Sequence, residues 1–292
     1  MLASIRTFSE AIKLSHTVFA LPFALLSSFM ALRGSDFDLW KLLWIVLAMA
    51  GARTWAMAVN RAADASIDAA NPRTAARAVA SGQISKKQMM IFGVCGAGVF
   101  IISAAALSRV ALWCSVPVLL ILASYSYTKR FTFLCHFWLG LCLGLAPLGA
   151  WVAIRDSFPS PLLLLTGAIM CWVGGFDIIY ATQDAEFDKT HGLNSLPSRF
   201  GIGPSLSIAA ASHLIAALFF ASFGIAFDLG LFYFVGLGIA AALMFQQHRI
   251  VRRATPETID FAFFNLNGWI AVLLFLATAL SLWLEPIIKN QL

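Results

Sequence analysis

The strongest constraint on this chain is a series of apolar segments, each close to the length that crosses a bilayer. They fall at roughly 15–33, 38–59, 89–108, 110–127, 132–154, 161–183, 205–227, 229–246 and 268–284. A helix needs about 20 residues to span hydrocarbon, so nine spans are expected. Backbone N–H and C=O groups find no water in lipid and must be satisfied within the segment, which selects the α-helix. The expected fold class is an all-α membrane protein. Composition agrees: 60% of the 292 residues are hydrophobic and only 12% are charged, against about 25% charged in a soluble domain. No polar linker divides the chain, which reads as one integral-membrane domain, 1–292. The short breaks at 108–110 and 227–229 are its weakest boundaries.

Charge orients the spans. With the N-terminus cytoplasmic, Arg6, Lys13, Arg61, Arg73, Arg77, Lys86, Lys87, Lys129, Arg130, Lys189, Arg199, Arg249, Arg252 and Arg253 share one side. Only Arg33, Lys41, Arg109, Arg155 and Lys289 fall on the other, and Arg53 lies inside the second span. Positive residues concentrate in the cytoplasm, so that face takes the N-terminus and the two long polar loops, 60–88 and 184–204. Basic residues placed so cleanly between spans argue against a nucleic-acid partner. Residues 2–13 are expected to form a short interfacial helix, and the first apolar segment reads as a span, not a cleaved leader. The five cysteines have no metal or redox spacing and are expected to be small buried hydrophobes.

Both long loops open on an acidic motif. NRAADASID places Asn60, Asp64 and Asp68 at four-residue steps, and DAEFD places Asp184 and Asp188 at the same step. That spacing keeps each set on one face of a helix. Carboxylates near a membrane are costly, so four of them on one membrane side point to function. Mg²⁺ fits them, because it binds through one or two carboxylates plus substrate phosphates. The plainer alternative is that the aspartates cap helix ends or pair with nearby arginines. Arg73 and Arg77, an i,i+4 pair if their segment is helical, are candidates for phosphate recognition together with Lys129 and Arg130 of YSYTKR. Asp177 stands in the apolar run CWVGGFDIIYATQ and needs a cation or a polar cavity; Tyr180 and Asp184 follow at helical spacing.

The chain resembles the UbiA superfamily of intramembrane aromatic prenyltransferases. The resemblance rests on IKLSHTVFALPFAL (12–25), NRAADASIDAANPRTAARAVASGQIS (60–85), YSYTKRFT (125–132) and DIIYATQDAEFDKTHGLNSLPSRFG (177–201), and covers nearly the whole length. It implies nine helices around a central cavity, with a Mg²⁺–diphosphate site on the cytoplasmic side. It assigns Asn60, Asp64 and Asp68 to one Mg²⁺–diphosphate site and Asp184 with Asp188 to a second. Lys13, Arg73, Arg77 and Lys129 are implied diphosphate neighbours, Tyr125 and Asp177 polar residues of the cavity, and Arg130 a partner for an acidic acceptor. Ala62 and Ala63 replace the bulkier residues common before the middle aspartate. The implied reaction joins a polyprenyl chain from its diphosphate to an aromatic carboxylic acid in quinone biosynthesis, at a plasma membrane, the inner membrane of a bacterium. The motifs leave open 4-hydroxybenzoate or a hydroxynaphthoate of the futalosine route. An ion-coupled transporter is the competing reading from another class, but it places its acids nearer the midplane. A scaffold without turnover leaves both aspartate pairs unexplained.

Overall fold

The computed structural model of the chain describes residues 19–33, 38–251 and 255–289, and contains no strand among them. The helices are α1 (Leu21–Leu32), α2 (Leu39–Ala63), α3 (Ala65–Ala70), α4 (Lys86–Leu107), α5 (Arg109–Thr128), α6 (Cys135–Arg155) and α7 (Leu162–Ala181). They continue with α8 (Ala185–Thr190), α9 (Leu196–Phe200), α10 (Ile202–Ala226), α11 (Leu231–Val251), α12 (Pro256–Phe261) and α13 (Asn267–Lys289). Eight described helical stretches are long and apolar enough to cross a membrane, and the chain is an integral membrane protein. The first of the nine expected spans is represented by the 12-residue α1; residues 15–18 of that span, the proposed interfacial helix 2–13 and Lys13 lie outside the described residues. The two weakest expected breaks are real: Ser108 separates α4 from α5, and Phe227–Asp228 follows α10.

The chain divides into two compact units. The first, described from Asp38 to Thr128, packs α2, α4 and α5 against one another. Its α2–α4 seam is made of small residues. A Cβ on Gly51 would lie 2.6 Å from the Gly96 carbonyl oxygen, and one on Gly93 would lie 2.7 Å from the Ala58 methyl. Lipid supplies no hydrophobic drive between helices, so this close approach substitutes van der Waals contact for it. Asp38 starts α2 by accepting from the Trp40 and Lys41 amides, and Ser85 with Gln88 forms a reciprocal cap on α4. Ile91, Val94 and Ile102 of α4 and Trp113, Val116 and Leu120 of α5 are exposed, as lipid-facing residues should be. Cys95 and Cys114 are exposed as well, which corrects the expectation that every cysteine is buried; Cys142 and Cys171 are buried.

In the second unit (described residues 19–33, 129–251 and 255–289) the packing runs α1, α6, α7, α10, α11, α13 and returns to α1. Phe23, Trp172, Phe176, Phe220 and Phe223 form its core. Small residues again set the spacing: Gly140 of α6 meets the Met170 backbone of α7, and Gly144 meets the Thr166 carbonyl. A π-helical segment, Ala262–Leu266, precedes α13. The carbonyls of Ala262 and Phe263 accept from the Asn267 amide. The Asn267 oxygen in turn takes bonds from Trp172 Nε1 at 3.1 Å and Gln247 Nε2 at 2.6 Å. The backbone irregularity is thus satisfied by buried side chains, as lipid requires.

Candidate functional site

The first motif is built where α2 hands over to α3. Asp64 is a bend between the two helices, yet the helical bonding continues through it: the Asp64 amide donates to the Asn60 carbonyl at 2.9 Å and the Asp68 amide to the Asp64 carbonyl at 2.7 Å. Asn60, Asp64 and Asp68 therefore stay on one face, as their spacing predicts. All three are buried, Asp64 to 2% exposure and Asp68 to 4%. Asn60 Nδ2 donates to Asp64 Oδ2 at 3.1 Å. Asp64 caps no helix with its side chain. Asp68 Oδ1 accepts from Arg77 Nη1 at 2.7 Å, and its Oδ2 lies 3.9 Å from Arg61 Nη1.

The arginines change the electrostatic picture. Arg61 is buried and within electrostatic reach of Asp64, Asp68, Arg77 and Tyr125; Arg53 is within reach of Arg61 and Tyr125. Two carboxylates thus face two guanidinium groups, those of Arg61 and Arg77, and Arg53 stands beside Arg61. This is a mixed-charge cluster, in which Asp68 does pair with an arginine, as the plainer alternative held. The segment 71–84 is a succession of turns, so Arg73 and Arg77 do not share a helical face. Pro72 explains the change: the residue before proline is pushed out of the α region, and Asn71 has φ −92° and ψ 117°. Arg77 turns in to Asp68, while Arg73 is exposed and its amide donates to Asn71 Oδ1.

The second motif lies in the second unit. Asp184 is the N-cap residue of α8 without a side-chain cap bond, and Asp188 occupies the first turn. Both are half-buried. Ser195 lies within hydrogen-bonding reach of the Asp188 carboxylate, and Asp184, Lys129 and His136 are within its electrostatic reach. Gly192, at φ 66°, turns the chain after α8 in the left-handed region open to glycine. The returning segment then bonds to the α5–α6 connection: Asn194 N donates to the Lys129 carbonyl at 2.7 Å, and Leu196 N donates to His136 Nε2 at 3.3 Å. Arg130 is exposed on the same connection. Asp177 has the partner its apolar setting demands, His136 Nδ1 at 2.7 Å. Tyr180 lies against Phe263, ring centroids 4.2 Å apart.

The residue signals differed in strength. In the sequence Arg61 counts among the topology charges, yet positions 61, 64 and 68 follow the helical i, i+3, i+7 spacing that places it beside the aspartates. His136, Asn194 and Ser195 had no such signal, because their role arises from contacts between segments distant in sequence. Among the described residues no three His, Cys, Asp or Glu side chains gather as a closed metal site. Each motif instead offers a carboxylate pair, the donor set Mg²⁺ uses when phosphate and water complete its shell. Each carboxylate has about four acceptor directions, so the bonds to Asn60 and Arg77 leave room for a cation.

Comparison with known proteins follows the same lines. The UbiA prenyltransferase family matches residues 20–269. A 4-hydroxybenzoate octaprenyltransferase of Pseudomonas aeruginosa (strain UCBPP-PA14) is 31% identical over 245 residues, covering 82% of this chain and 81% of that protein. The apo structure of a UbiA homolog from Aeropyrum pernix K1 superposes with a TM-score of 0.81 at 31% identity, covering 95% of this chain and 98% of that one. A UbiA homolog from Archaeoglobus fulgidus, solved bound to GPP and Mg²⁺, has a TM-score of 0.68 at 16% identity, covering 94% and 99% of the two chains. At that identity it speaks for the fold alone.

Proposed function

The chain belongs to the UbiA prenyltransferase family, and from that premise we propose that it transfers a polyprenyl group from polyprenyl diphosphate to the ring of an aromatic carboxylic acid. The first choice of acceptor is 4-hydroxybenzoate, the substrate named for its relatives, with respiratory quinone biosynthesis as the setting. The observation that carries the reading is the mixed charge of the first motif: buried Asp64 and Asp68 beside Arg61 and Arg77, with Arg53 next to Arg61. A bare cation is poorly served by so many guanidinium groups, whereas a metal–diphosphate pair uses both signs. This weighs against the ion-coupled transporter.

Asn60, Asp64 and Asp68, and separately Asp184 and Asp188, are the residues that would hold Mg²⁺. When bound, Mg²⁺ offsets the charge that builds on diphosphate as its allylic C–O bond breaks. Arg61, Arg73, Arg77 and Lys129 neutralise the remaining phosphate charge, with Arg favoured for bidentate contact and Lys for point-charge contact; Lys13 is proposed to join them. Tyr125 and Asp177 supply polar contacts, and Arg130 holds the acceptor carboxylate. Tyr180 with Phe263, Phe264 and Phe176 presents ring faces of the kind that stabilise a cation through the ring quadrupole. We further propose that the chain acts as one catalytic domain in a bacterial plasma membrane, with both motifs cytoplasmic. The test is transfer of a labelled polyprenyl group to 4-hydroxybenzoate by purified protein, with a hydroxynaphthoate as the alternative acceptor. Asp64→Ala and Asp184→Ala should each lower turnover at least about 1,000-fold, matching the several kcal/mol a metal contributes to leaving-group stabilisation. Full activity in EDTA or in either variant overturns this assignment.

A further inference from the structure

The second unit contains a buried bridge that the aspartate motifs do not account for. His136, on the first turn of α6, is 2% exposed and engages both ring nitrogens. Its Nδ1 lies 2.7 Å from Asp177 Oδ2 on α7. Its Nε2 is approached at 3.3 Å by the backbone N–H of Leu196, the first residue of α9. An N–H donates, so Nε2 must present its lone pair; the ring proton then belongs on Nδ1, which donates to Asp177. An imidazolium would set two N–H groups against each other at Nε2. The Asp177 contact alone would equally suit an imidazolium; it is the Leu196 amide, donating to Nε2, that favours the neutral Nδ1–H tautomer.

Both ends of this bridge matter to the second motif. Leu196 follows Ser195, which is 3% exposed and within hydrogen-bonding reach of Asp188. Asn194, immediately before, donates to the Lys129 carbonyl through its amide at 2.7 Å, and Cys135 Sγ donates to the Asn194 carbonyl at 3.5 Å. The segment 194–196 is therefore tied through Asn194 to Lys129 and Cys135 and through Leu196 to His136, and His136 is the tie that also reaches Asp177. The Asp177 side chain is 22% exposed while that of His136 is 3% exposed. One carboxylate oxygen is thus anchored from the buried side, and the group keeps an open side. Few side chains can do both jobs: one donor, one acceptor, about 2 Å apart and rigid.

We propose that His136 is a positioning residue: its neutral Nδ1–H tautomer fixes the Asp177 carboxylate and simultaneously clamps the 194–196 segment that orients Asp188. The proposal deepens the prenyltransferase reading and rests on it for its kinetic consequence. His136 touches neither substrate nor diphosphate; it acts through Asp177 and through the Ser195–Asp188 contact. Glutamine retains one donor and one acceptor at nearly the ring spacing, whereas phenylalanine keeps the bulk and loses both.

The experiment combines kinetics with a probe that requires no turnover. His136→Phe should lower kcat/KM about 100-fold, with the loss mainly in kcat, and His136→Gln should return to within about tenfold of the parent. ¹⁵N NMR of histidine-labelled parent protein in detergent at neutral pH should show His136 protonated at Nδ1 and bare at Nε2; the His136→Phe spectrum makes the assignment. Hydrogen exchange at the Leu196 amide should be faster in His136→Phe and near-parental in His136→Gln. A His136 that is protonated at Nε2 or at both nitrogens overturns the proposal. So does a His136→Phe variant whose kcat matches the parent, or a His136→Gln variant as impaired as His136→Phe. If the parent transfers no prenyl group, the prenyltransferase reading fails, while the NMR and exchange results still decide whether the clamp exists.

Discussion

At the residue scale, the informative feature is that buried charges come in pairs. Asp68 is 6% exposed at its side chain and accepts from an Arg77 that is 29% exposed. Removing one member leaves the other in a low-dielectric setting, which is costlier than the pair is stabilising. Arg77→Ala should therefore reduce both thermal stability and activity. In a double-mutant cycle, Asp68→Asn with Arg77→Ala should restore stability in part, with a coupling energy of about 1–3 kcal/mol, yet leave turnover abolished. Recovery of turnover in the double variant would make Asp68 structural only. Lys129 and Arg130 are adjacent but differently placed, Lys129 half-buried within electrostatic reach of Asp188 and Arg130 exposed. Arg130→Lys is expected to raise KM for the aromatic acid about five- to tenfold, since the bidentate fork is lost, with less change for prenyl diphosphate. Lys129→Ala should show the opposite bias. Direct binding measurements should accompany both, because KM reports affinity only when chemistry is slow. If both variants weaken only prenyl diphosphate, Arg130 belongs to phosphate recognition.

At the element scale, helix identity was readable from apolar length, but helix approach depended on particular glycines. Gly51 and Gly140 face neighbouring backbone, which cannot rotate aside as a side chain can. Gly51→Ala forces α2 from α4 and should cost about 1–3 kcal/mol, the usual range for overpacking. Gly98→Ala, on α4, and Gly149→Ala, on α6, meet nothing within 4 Å and should be neutral or stabilising by about 0.5–1 kcal/mol through helix propensity. Thermal melts of the three variants in one detergent decide this; equal shifts for Gly51→Ala and Gly98→Ala would remove the seam argument. The polar loops show the opposite balance. Sequence spacing correctly kept Asn60, Asp64 and Asp68 on one face, because backbone bonds carry the helical register through the bend at Asp64. The same periodicity misplaced Arg73 and Arg77, because Pro72 breaks the register just before them.

At the scale of the whole molecule, orientation is testable independently of catalysis. With Cys95 and Cys114 replaced, since both are exposed, Ser81→Cys and Glu186→Cys offer single exposed labelling positions in the two motif loops. In intact cells an impermeant reagent should label both poorly and, after permeabilisation, well; strong labelling from outside would reverse the assigned topology. The sequence by itself determined that the chain is helical and membrane-embedded, where its breaks fall, which residues form the acidic motifs and which family it belongs to. Those properties are local: they follow from apolar length, from charge between spans and from residues a helical turn apart. Only the tertiary structure decided what the charged groups face. Arg61 and Arg77 turn the first acidic motif into a mixed cluster, and His136 joins Asp177 to a backbone amide 60 residues along the chain. Hydrogen bonds have short range and strict direction, so such partners are fixed by helix packing and leave no periodic trace in the sequence.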